Sequence, residues 1–499
     1  MEYFIVAWHN LLEDWNYSVP NIEFYDGSIN MNILHHGGKQ IGLIVDDYQP
    51  QLTTKLNDLD FYPEKILSVY DYLQGSLNFD NQQVLNYQDF NWPDDAIFDI
   101  SSFNILVVSA DKLFAKIVVD TTGKLLWIEY FDQAERLTSK VIIDSRGFVS
   151  SKETEQEIVY FDPVGHWRFI YDKQTDAVKL NPDFLVSDQL QYQHLSDLIQ
   201  EILTEKILTH VTQKDHLIVT IDDQSPLSMS DYNVHHPIYV LNPKVNHTRS
   251  LQDVGNESIV VSHKDEIEQG YPNLNLIEIP SLPFQFKFGH SQRLRRQIIG
   301  VFAEGMNAEE LLSLLHVLYP KLLSKPDELS LRFLTYSNDQ NALINKLIKQ
   351  FAEEKRNEFQ LFDEKAKLTM IGENDGLKSS DKRPQLLISS HRLSSVNDAA
   401  KTLDKIRVLI NWNLQDDFMM IAAVSTGIPQ LQNFKSFTLH DHKNGIICQN
   451  YQELEMGLTF YLDDLQNWNE SLVYNAQLLN KYSEDNLFKK WESVLSKEL

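Results

Sequence analysis

Residues 411–450, NWNLQDDFMMIAAVSTGIPQLQNFKSFTLHDHKNGIICQN, decide the fold of the second half of the chain. The acidic pair Asp416–Asp417 precedes an apolar run, as expected where carboxylates offset the positive end of a helix dipole. Gly427 and Pro429 then end the predicted helix, because glycine readily adopts a positive φ and proline prevents continuation. A second turn at Asn444–Gly445 precedes another short strand. This order is typical of parallel α/β sheets, in which ligands bind at the carboxyl ends of strands.

Length, composition and charge bound the class of protein. The chain has 499 residues, enough for two or three domains, and its 42% hydrophobic content is that of a globular protein. A formal net charge of −27 disfavours nucleic-acid binding and attraction to anionic membranes. A single cysteine, Cys448, excludes an intramolecular disulfide. The chain opens on an apolar strand without a basic signal-peptide region, and it has no long apolar segment. We therefore expect a cytoplasmic protein with no nucleic-acid partner and at most peripheral association with the inner face of the cell membrane.

The type of apolar pattern changes along the chain and divides it into domains. Short apolar runs and helices over 1–81 and again over 184–291 predict one Rossmann-like domain. Between them, 82–183 consists of short runs broken by turns, which predicts an inserted antiparallel β-sheet domain. A second Rossmann-like domain is predicted over 292–482, followed by a C-terminal helix over 483–499. The predicted fold class is α/β.

Several helix boundaries are also predicted from local signals. Asn307 with Glu310 three residues later forms a capping box, and Gly75 ends a short helix. Apolar residues at three- and four-residue spacing over 190–211 predict a single amphipathic helix.

Neither a metal site nor a hydrolase site is supported. The histidine pairs His35–His36, His235–His236, and His440 with His442 have no further ligands at metal-binding spacing, and we interpret them as surface or turn residues. The chain has no G-x-S-x-G nucleophile motif and no P-loop. The acidic pairs Asp46–Asp47 and Asp222–Asp223 follow strands, where carboxylates more often cap turns than catalyse. No catalytic residue, cofactor or metal is predicted.

The segment 411–450 resembles the donor-binding segment of GT-B glycosyltransferases, in which two Rossmann-like domains face each other across a cleft. In those enzymes the segment has the pattern E-x7-E-A-x-x-x-G-x-P. The second acid binds the donor ribose, and backbone amides near the first acid bind the diphosphate. Aligned on Gly427, the two acids fall on Leu414 and Ala422. The amide positions include Asp416 and Asp417, whose carboxylates would repel a diphosphate. The resemblance implies a GT-B-like fold with an antiparallel β-sheet insertion in the first domain and a degenerate donor site.

A more specific resemblance begins near the N-terminus. The segments YFIVAWHNLLEDW at 3–15 and ILSVYDYLQG at 66–75, with the inserted β meander, resemble the first-type accessory Sec system proteins of Gram-positive bacteria, almost end to end. This resemblance implies a non-catalytic protein that acts with two other accessory Sec proteins, the accessory SecA motor and the accessory SecY channel. Those proteins export glycosylated serine-rich-repeat adhesins, so the adhesin preprotein is an implied partner.

Two main functions stay open at this point, beside a third, a lectin-like module that would bind sugar without partners. One is an export adaptor without donor chemistry, whose cleft or β insertion binds sugar or serine-rich polypeptide. The alternative is an active GT-B glycosyltransferase that modifies Ser or Thr of the adhesin with a nucleotide sugar. The two functions differ in the need for acids at Leu414 and Ala422, and the absence of both acids favours the adaptor.

Overall fold

The computed structural model describes fourteen segments of the chain and divides into two compact units. The described residues are 1–6, 26–58, 61–79, 84–101, 104–120, 122–221, 232, 237–241, 254, 258–261, 274–279, 287–362, 383–394 and 396–496. One unit comprises Met1–Pro280 and Leu487–Leu499, and the other comprises Ser281–Asn486. The finer division into 1–81 with 184–291, 82–183, 292–482 and 483–499 stays a prediction.

The described strands and helices are numbered here in chain order. The strands are β1 (Glu2–Ile5), β2 (Ile41–Val45), β3 (Lys65–Ser68), β4 (Ile97–Ile100), β5 (Asn104–Ser109), β6 (Lys112–Val119), β7 (Leu125–Phe131), β8 (Leu137–Asp144), β9 (Phe148–Glu153), β10 (Glu157–Phe161), β11 (Trp167–Asp172), β12 (Val178–Leu180), β13 (Gln191–Tyr192), β14 (His216–Ile221), β15 (Ile238–Leu241), β16 (Ser258–Val261), β17 (Asn275–Glu278), β18 (Gln297–Phe302), β19 (Leu329–Thr335), β20 (Gln360–Leu361), β21 (Gln385–Leu386), β22 (Ile388–Arg392), β23 (Ile406–Asn411), β24 (Gln430–Gln432) and β25 (Gly445–Ile447). The helices are α1 (Asp26–His36), α2 (Leu52–Asp58), α3 (Val69–Gln74), α4 (Leu195–Ile202), α5 (Ala308–Ser324), α6 (Asn338–Glu354), α7 (Val396–Leu403), α8 (Asp417–Thr426), α9 (Tyr451–Asp463), α10 (Leu465–Lys481) and α11 (Glu484–Leu495).

The first unit is built on a parallel sheet with the strand order β17-β16-β15-β14-β1-β2-β3. Its central strands are nearly continuous apolar runs, such as LIVTI over 217–221, and they are buried. Parallel strands have this composition because helices cover both faces of the sheet. The order reverses at β1, which lies between β14 and β2.

An antiparallel sheet of ten described strands, β4 to β13 in sequence order, follows β3 in the chain. Each strand pairs with its neighbours in sequence, as hairpin turns require. Within the first unit, Gln74 at the end of α3 joins this sheet, because its Nε2 donates to the carbonyl oxygens of Ser150 at 2.9 Å and Phe161 at 2.7 Å. The hydroxyl of Tyr48 donates to the Ser150 hydroxyl at 2.8 Å.

Arg146, in the turn between β8 and β9, is a charged link between the antiparallel sheet and helix α3. Its guanidinium donates to the carboxylate of Asp71 in α3 at 2.7 and 3.1 Å, and to that of Asp144 at 2.9 Å through both Nε and Nη2. It also donates to the carbonyl oxygen of Ser76 at 3.1 Å. All these side chains are largely buried, so removal of the guanidinium would leave two carboxylates without their countercharge.

The last helix, α11, packs on the first unit although it follows the whole of the second unit in sequence. Trp491 is fully buried, and its indole Nε1 donates to Asn30 Oδ1 of α1 at 2.9 Å. The Lys490 ammonium donates to the carbonyl oxygen of Glu278 in β17 at 3.0 Å. The helix therefore closes one side of the first unit.

The second unit contains a parallel sheet with the order β22-β19-β18-β23-β24-β25. If these six strands are numbered by their order in the chain, their order across the sheet is 3-2-1-4-5-6, as in a dinucleotide-binding Rossmann fold. Helices α5, α6 and α8 follow β18, β19 and β23, and their apolar residues are buried together with those of the strands.

Candidate functional site

The sheet of the second unit has its topological switch point between β18 and β23. β18 pairs with β19 on one side and with β23 on the other. From β18 the chain builds the sheet toward one edge through β19 and β22, and from β23 it builds the sheet toward the other edge through β24 and β25. Ligands of open α/β sheets bind at such a point, outside the carboxyl ends of the strands. The segments that follow β18 and β23 carry Glu304 and Asp416.

Asp416 caps helix α8 with its own side chain. Its backbone is extended, and its Oδ1 accepts a hydrogen bond from the Met419 N–H at 2.9 Å. The same oxygen accepts the hydroxyl of Tyr336 at 3.0 Å. Burial, followed by the negative charge of Asp416, raises the pKa of Tyr336 well above its ordinary value, so the phenol keeps the proton that it donates. The carboxylate thus occupies the amide-rich end of α8, the kind of position at which helix N-termini bind anions.

Glu304, in the segment that follows β18, binds the backbone immediately before helix α6. Its Oε2 accepts the backbone N–H of Tyr336 at 2.6 Å and that of Ser337 at 3.1 Å, and it also accepts the Thr335 hydroxyl. Ser337 is the N-cap of α6, and its hydroxyl accepts the Gln340 N–H at 3.2 Å. Free amides at a helix start attract anions, and here a carboxylate from the loop after β18 satisfies them.

The third helix at this edge, α5, is capped in the same way. Asn307 Oδ1 accepts the backbone N–H groups of Glu309 and Glu310 at 3.0 Å, while the Glu310 carboxylate accepts the Asn307 N–H at 3.0 Å. Asn413, which follows β23 with a positive φ of 54°, donates to the second oxygen of Glu310 at 3.2 Å. At each of these three helices around the switch point, first-turn amides are therefore bound by the chain's own side chains.

The residues predicted to mark a degenerate donor site are placed as follows. Leu414 and Asp416 are half-buried in the loop before α8, and Asp417 is the first residue of that helix. Ala422 is completely buried, and the other residues from Phe418 to Thr426 are buried with it. A carboxylate at position 422 would be enclosed on all sides. Gly427 ends the helix with a left-handed φ of 78°, and its N–H is bonded to carbonyl oxygens of the last turn.

Glu304 and Tyr336 are the site residues that the sequence did not reveal. Glu304 stands directly before Gly305 after an apolar strand, a weak signal for a functional loop. Its partner amides lie 32 and 33 positions away, in the segment that follows the neighbouring strand of the sheet. That contact becomes visible only when the strand order is known.

The histidines and acidic pairs take structural positions where they are described. His35 packs edge-on against Phe61 with ring centroids 4.9 Å apart. His440 lies against the Tyr474 ring, and burial lowers its pKa. Asp47 accepts the Tyr48 N–H at 2.8 Å, as a turn-capping carboxylate does. The pairs His235–His236 and Asp222–Asp223 lie outside the described residues. Among the residues that the structure does describe, no three His, Cys, Asp or Glu side chains form a group able to hold a metal ion.

Comparison with known proteins decides the family. The family model of the first accessory Sec system protein matches residues 5–498. The chain belongs to this family. A curated accessory Sec system protein of the same type, from Staphylococcus aureus (strain NCTC 8325 / PS 47), is 24% identical over 542 residues, covering 100% of this chain and 99% of the relative. The accessory Sec resemblance that the sequence predicted is therefore confirmed.

Two solved structures are similar in fold to this member of the accessory Sec family. The structure of accessory secretory protein 1, 2 and 3 of Streptococcus pneumoniae matches with a TM-score of 0.74 and 22% identity, over 100% of this chain and 99% of the matched chain. The pneumococcal O-GlcNAc transferase GtfA, in complex with UDP and GlcNAc, matches with a TM-score of 0.65 and 10% identity, over 94% of each chain. The GT-B-like fold class predicted from the sequence is thus confirmed.

Within the described part of this accessory Sec protein, no helix is both long and apolar enough to cross a lipid bilayer.

Proposed function

We propose that this chain is a non-enzymatic component of the accessory Sec export system. It assembles with two other accessory Sec proteins and the accessory SecA motor, in the cytoplasm or at the inner face of the membrane, and delivers glycosylated serine-rich-repeat adhesin for secretion. Its family and the three-protein structure of its pneumococcal relative support the assembly. The absence of catalysis is the part that the geometry of the second unit addresses.

The observation that carries the proposal is the occupation of the switch point by carboxylates. Asp416 and Glu304 bind the amides at the starts of α8 and α6, and one residue, Tyr336, contacts both. A unit charge pair 4 Å apart interacts by about 4 kcal/mol at an effective dielectric constant near 20. A diphosphate at these helices would meet that repulsion and would also have to displace hydrogen bonds already made. The acid expected at the donor ribose is replaced by the enclosed Ala422.

The degenerate donor site at Leu414, Asp416, Asp417, Ala422 and Gly427 is tested by calorimetry with UDP and UDP-sugars. We expect no binding heat and no sugar hydrolysis or transfer, whereas an active O-GlcNAc transferase measured alongside binds UDP. Micromolar binding together with transfer to an adhesin peptide would establish the alternative, a glycosyltransferase, and refute the proposal.

The assembly is tested separately by co-expression of the full chain with the two other accessory Sec proteins and the motor. We expect the partners to co-purify through a tag on this chain and to retain glycosylated adhesin. Elution of this chain alone, under conditions in which the partners are folded, would count against the export role.

A further inference from the structure

Helix α9 has apolar side chains on the face that it turns to solvent. Its exposed positions recur at helical spacing and should be polar throughout in a helix that packs on one side only. They are Gln452, Glu455, Met456, Thr459, Phe460 and Asp463. Met456 is 65% exposed and Phe460, one turn later, is 40% exposed. The outward face therefore has an apolar centre.

A third exposed apolar residue, Leu465, lies in the first turn of α10, directly after α9 in the chain. Leu465 is 53% exposed, and the Asn467 side-chain amide donates to the carbonyl oxygen of Phe460 at 3.1 Å, which holds the two helix ends together. We define Met456, Phe460 and Leu465 as the α9 patch. Single exposed apolar residues are ordinary on protein surfaces, but adjoining ones mark an interaction site more often.

Folding of α9 does not require the α9 patch. The opposite face of the helix supplies the core residues Leu454, Leu458, Tyr461 and Leu462, all of them buried. Gly457 lies on this face close to β24, where an added Cβ would be 2.9 Å from Leu431 Cδ2. The exposed apolar area is thus additional to what holds the helix in place.

Among the described residues, carboxylates outnumber ammonium groups around the α9 patch. The basic groups there are Lys321, which donates to the Thr459 hydroxyl of the same exposed face at 3.1 Å, and Lys325. Glu455, Asp464 and Glu470 make no ion pair with any residue that the structure describes. Asp463, by contrast, binds the ammonium groups of Lys321 at 2.7 Å and Lys325 at 2.9 Å. The patch therefore combines apolar anchors with an excess of negative charge.

We propose that the α9 patch docks a basic amphipathic helix of a partner protein. Methionine and phenylalanine are enriched at the centres of protein interfaces, and lysine or arginine on the partner would pair with the flanking carboxylates. A second copy of this chain would bring the same carboxylates and a net charge of −27 against them. An anionic membrane surface would be repelled for the same reason. The inference rests on the proposed function in one respect, namely that the helix belongs to a component of the same export assembly.

The chemistry of the α9 patch is tested with synthetic helical peptides and the full chain. One peptide has leucines on one face and lysines on the other, and its control has glutamates in place of the lysines. The key variant is Met456→Gln with Phe460→Gln, because glutamine keeps helix propensity. Val473→Gln is the matched control, since Val473 is 58% exposed on α10 of the same unit. Unchanged thermal unfolding verifies that each variant is folded.

We expect the lysine peptide to bind the wild type and the Val473 variant equally and the double variant about ten-fold more weakly, as loss of two interface anchors implies. Glu455→Gln with Glu470→Gln should weaken binding and flatten its salt dependence. Equal binding by the wild type and the Met456/Phe460 variant, or equal binding of the glutamate peptide, would overturn the inference. So would a double variant whose only change is in vesicle binding or in self-association.

The partner itself is identified in the co-expressed assembly. A photoreactive residue at position 456 should cross-link to a segment of a partner protein that is rich in lysine or arginine and has an apolar face. A wild-type chain that retains no partner refutes the proposed function, and the peptide titration then decides the α9 patch alone. A cross-link to an acidic segment of a retained partner refutes the patch and leaves the proposed function standing.

Discussion

Replacement of Gly445 by alanine should destabilise the second unit strongly, because the added methyl group would clash with main-chain atoms of the neighbouring strand. Gly445 begins β25 and pairs with Gln430 of β24. A Cβ at this position would overlap the carbonyl oxygen of Gln430, and it would lie 3.1 Å from the carbonyl carbon and 2.7 Å from Leu439 Cδ1. The first two atoms belong to the main chain and cannot move aside as a side chain can. The two strands would therefore have to separate.

The expected loss follows from two contributions. Overpacking of a well-packed interior costs about 1–3 kcal/mol, and a rigid neighbour places this case at the upper end. Separation of the strands also weakens backbone hydrogen bonds such as Gln430 N–H to Asn444 O, each worth about 1 kcal/mol. The sum is about 3–4 kcal/mol. For a unit of this size each kcal/mol lowers Tm by about 2–4 °C, so the expected shift is roughly 6–16 °C.

Gly457→Ala is the matched control. Its Cβ would also approach β24, but the nearest atom is Leu431 Cδ2 at 2.9 Å, the end of a flexible side chain. Alanine is favoured over glycine in a helix by about 1 kcal/mol, which offsets a mild clash. We expect its Tm, measured by differential scanning calorimetry, to stay within about 3 °C of the wild type. If the Gly445→Ala protein had the same Tm as the Gly457→Ala protein, the argument from backbone overlap would be refuted.

Three further predictions concern single groups. Burial raises the pKa of the Cys448 thiol to about 12. At pH 8 the thiol of the native protein should therefore react with a disulfide reagent at least about 100-fold more slowly than the thiol of the protein in denaturant. Equal rates would contradict the buried position of Cys448. Tyr336→Phe removes a hydrogen bond to a carboxylate and should cost about 1.5–3 kcal/mol of unfolding free energy in a urea titration, against less than about 1 for Tyr319→Phe at an exposed bond. Arg146→Met should cost about 3–5 kcal/mol, whereas Arg136→Met, whose guanidinium is exposed, should cost less than about 1; similar midpoints for the two variants would show that the buried cluster is not important.

Local signals predicted the parts of the fold that depend on near neighbours in sequence. The capping box at Asn307 is present with both of its hydrogen bonds, and Gly75 ends α3 in the left-handed conformation. Asp416 also takes the helix-capping role that its position before an apolar run favours. These features are set by residues three or four positions apart, so the sequence contains all the information that they need.

One helix was predicted with the wrong shape. The apolar spacing over 190–211 predicts a single amphipathic helix, but α4 ends at Ile202 and is followed by a π-helical turn over Leu203–Ile207 and a tighter turn over Leu208–His210. Leu203, Ile207 and Leu208 are nevertheless all buried. Periodicity identifies which side chains face the core, whereas a change in turn type that keeps them there leaves little trace in the pattern.

The candidate site was predictable only where it lies within one segment. The capping role of Asp416 was predicted because Asp416 and the helix that it caps lie within 411–450, whereas the loss of donor-site acids at Leu414 and Ala422 stays a prediction. The contribution of Glu304 depends on the pairing of β18 with β19, which brings it to the amides of Tyr336 and Ser337. Non-local contacts of this kind require the strand order, which the apolar pattern alone does not specify.

The position of α11 has a consequence for the order in which the protein is made. Trp491 and its helix complete the packing of the first unit, yet the ribosome adds them only after it has synthesised all of the second unit. Domains usually fold as soon as they emerge during synthesis, at about 5–20 residues per second. In this protein the surface around Asn30 stays uncovered until the whole of Ser281–Asn486 has been synthesised. The nascent first unit is thus exposed to chaperones and proteases for about 10–40 s at that rate, and a message truncated before the codon for Trp491 yields a product that quality control can distinguish from the finished chain.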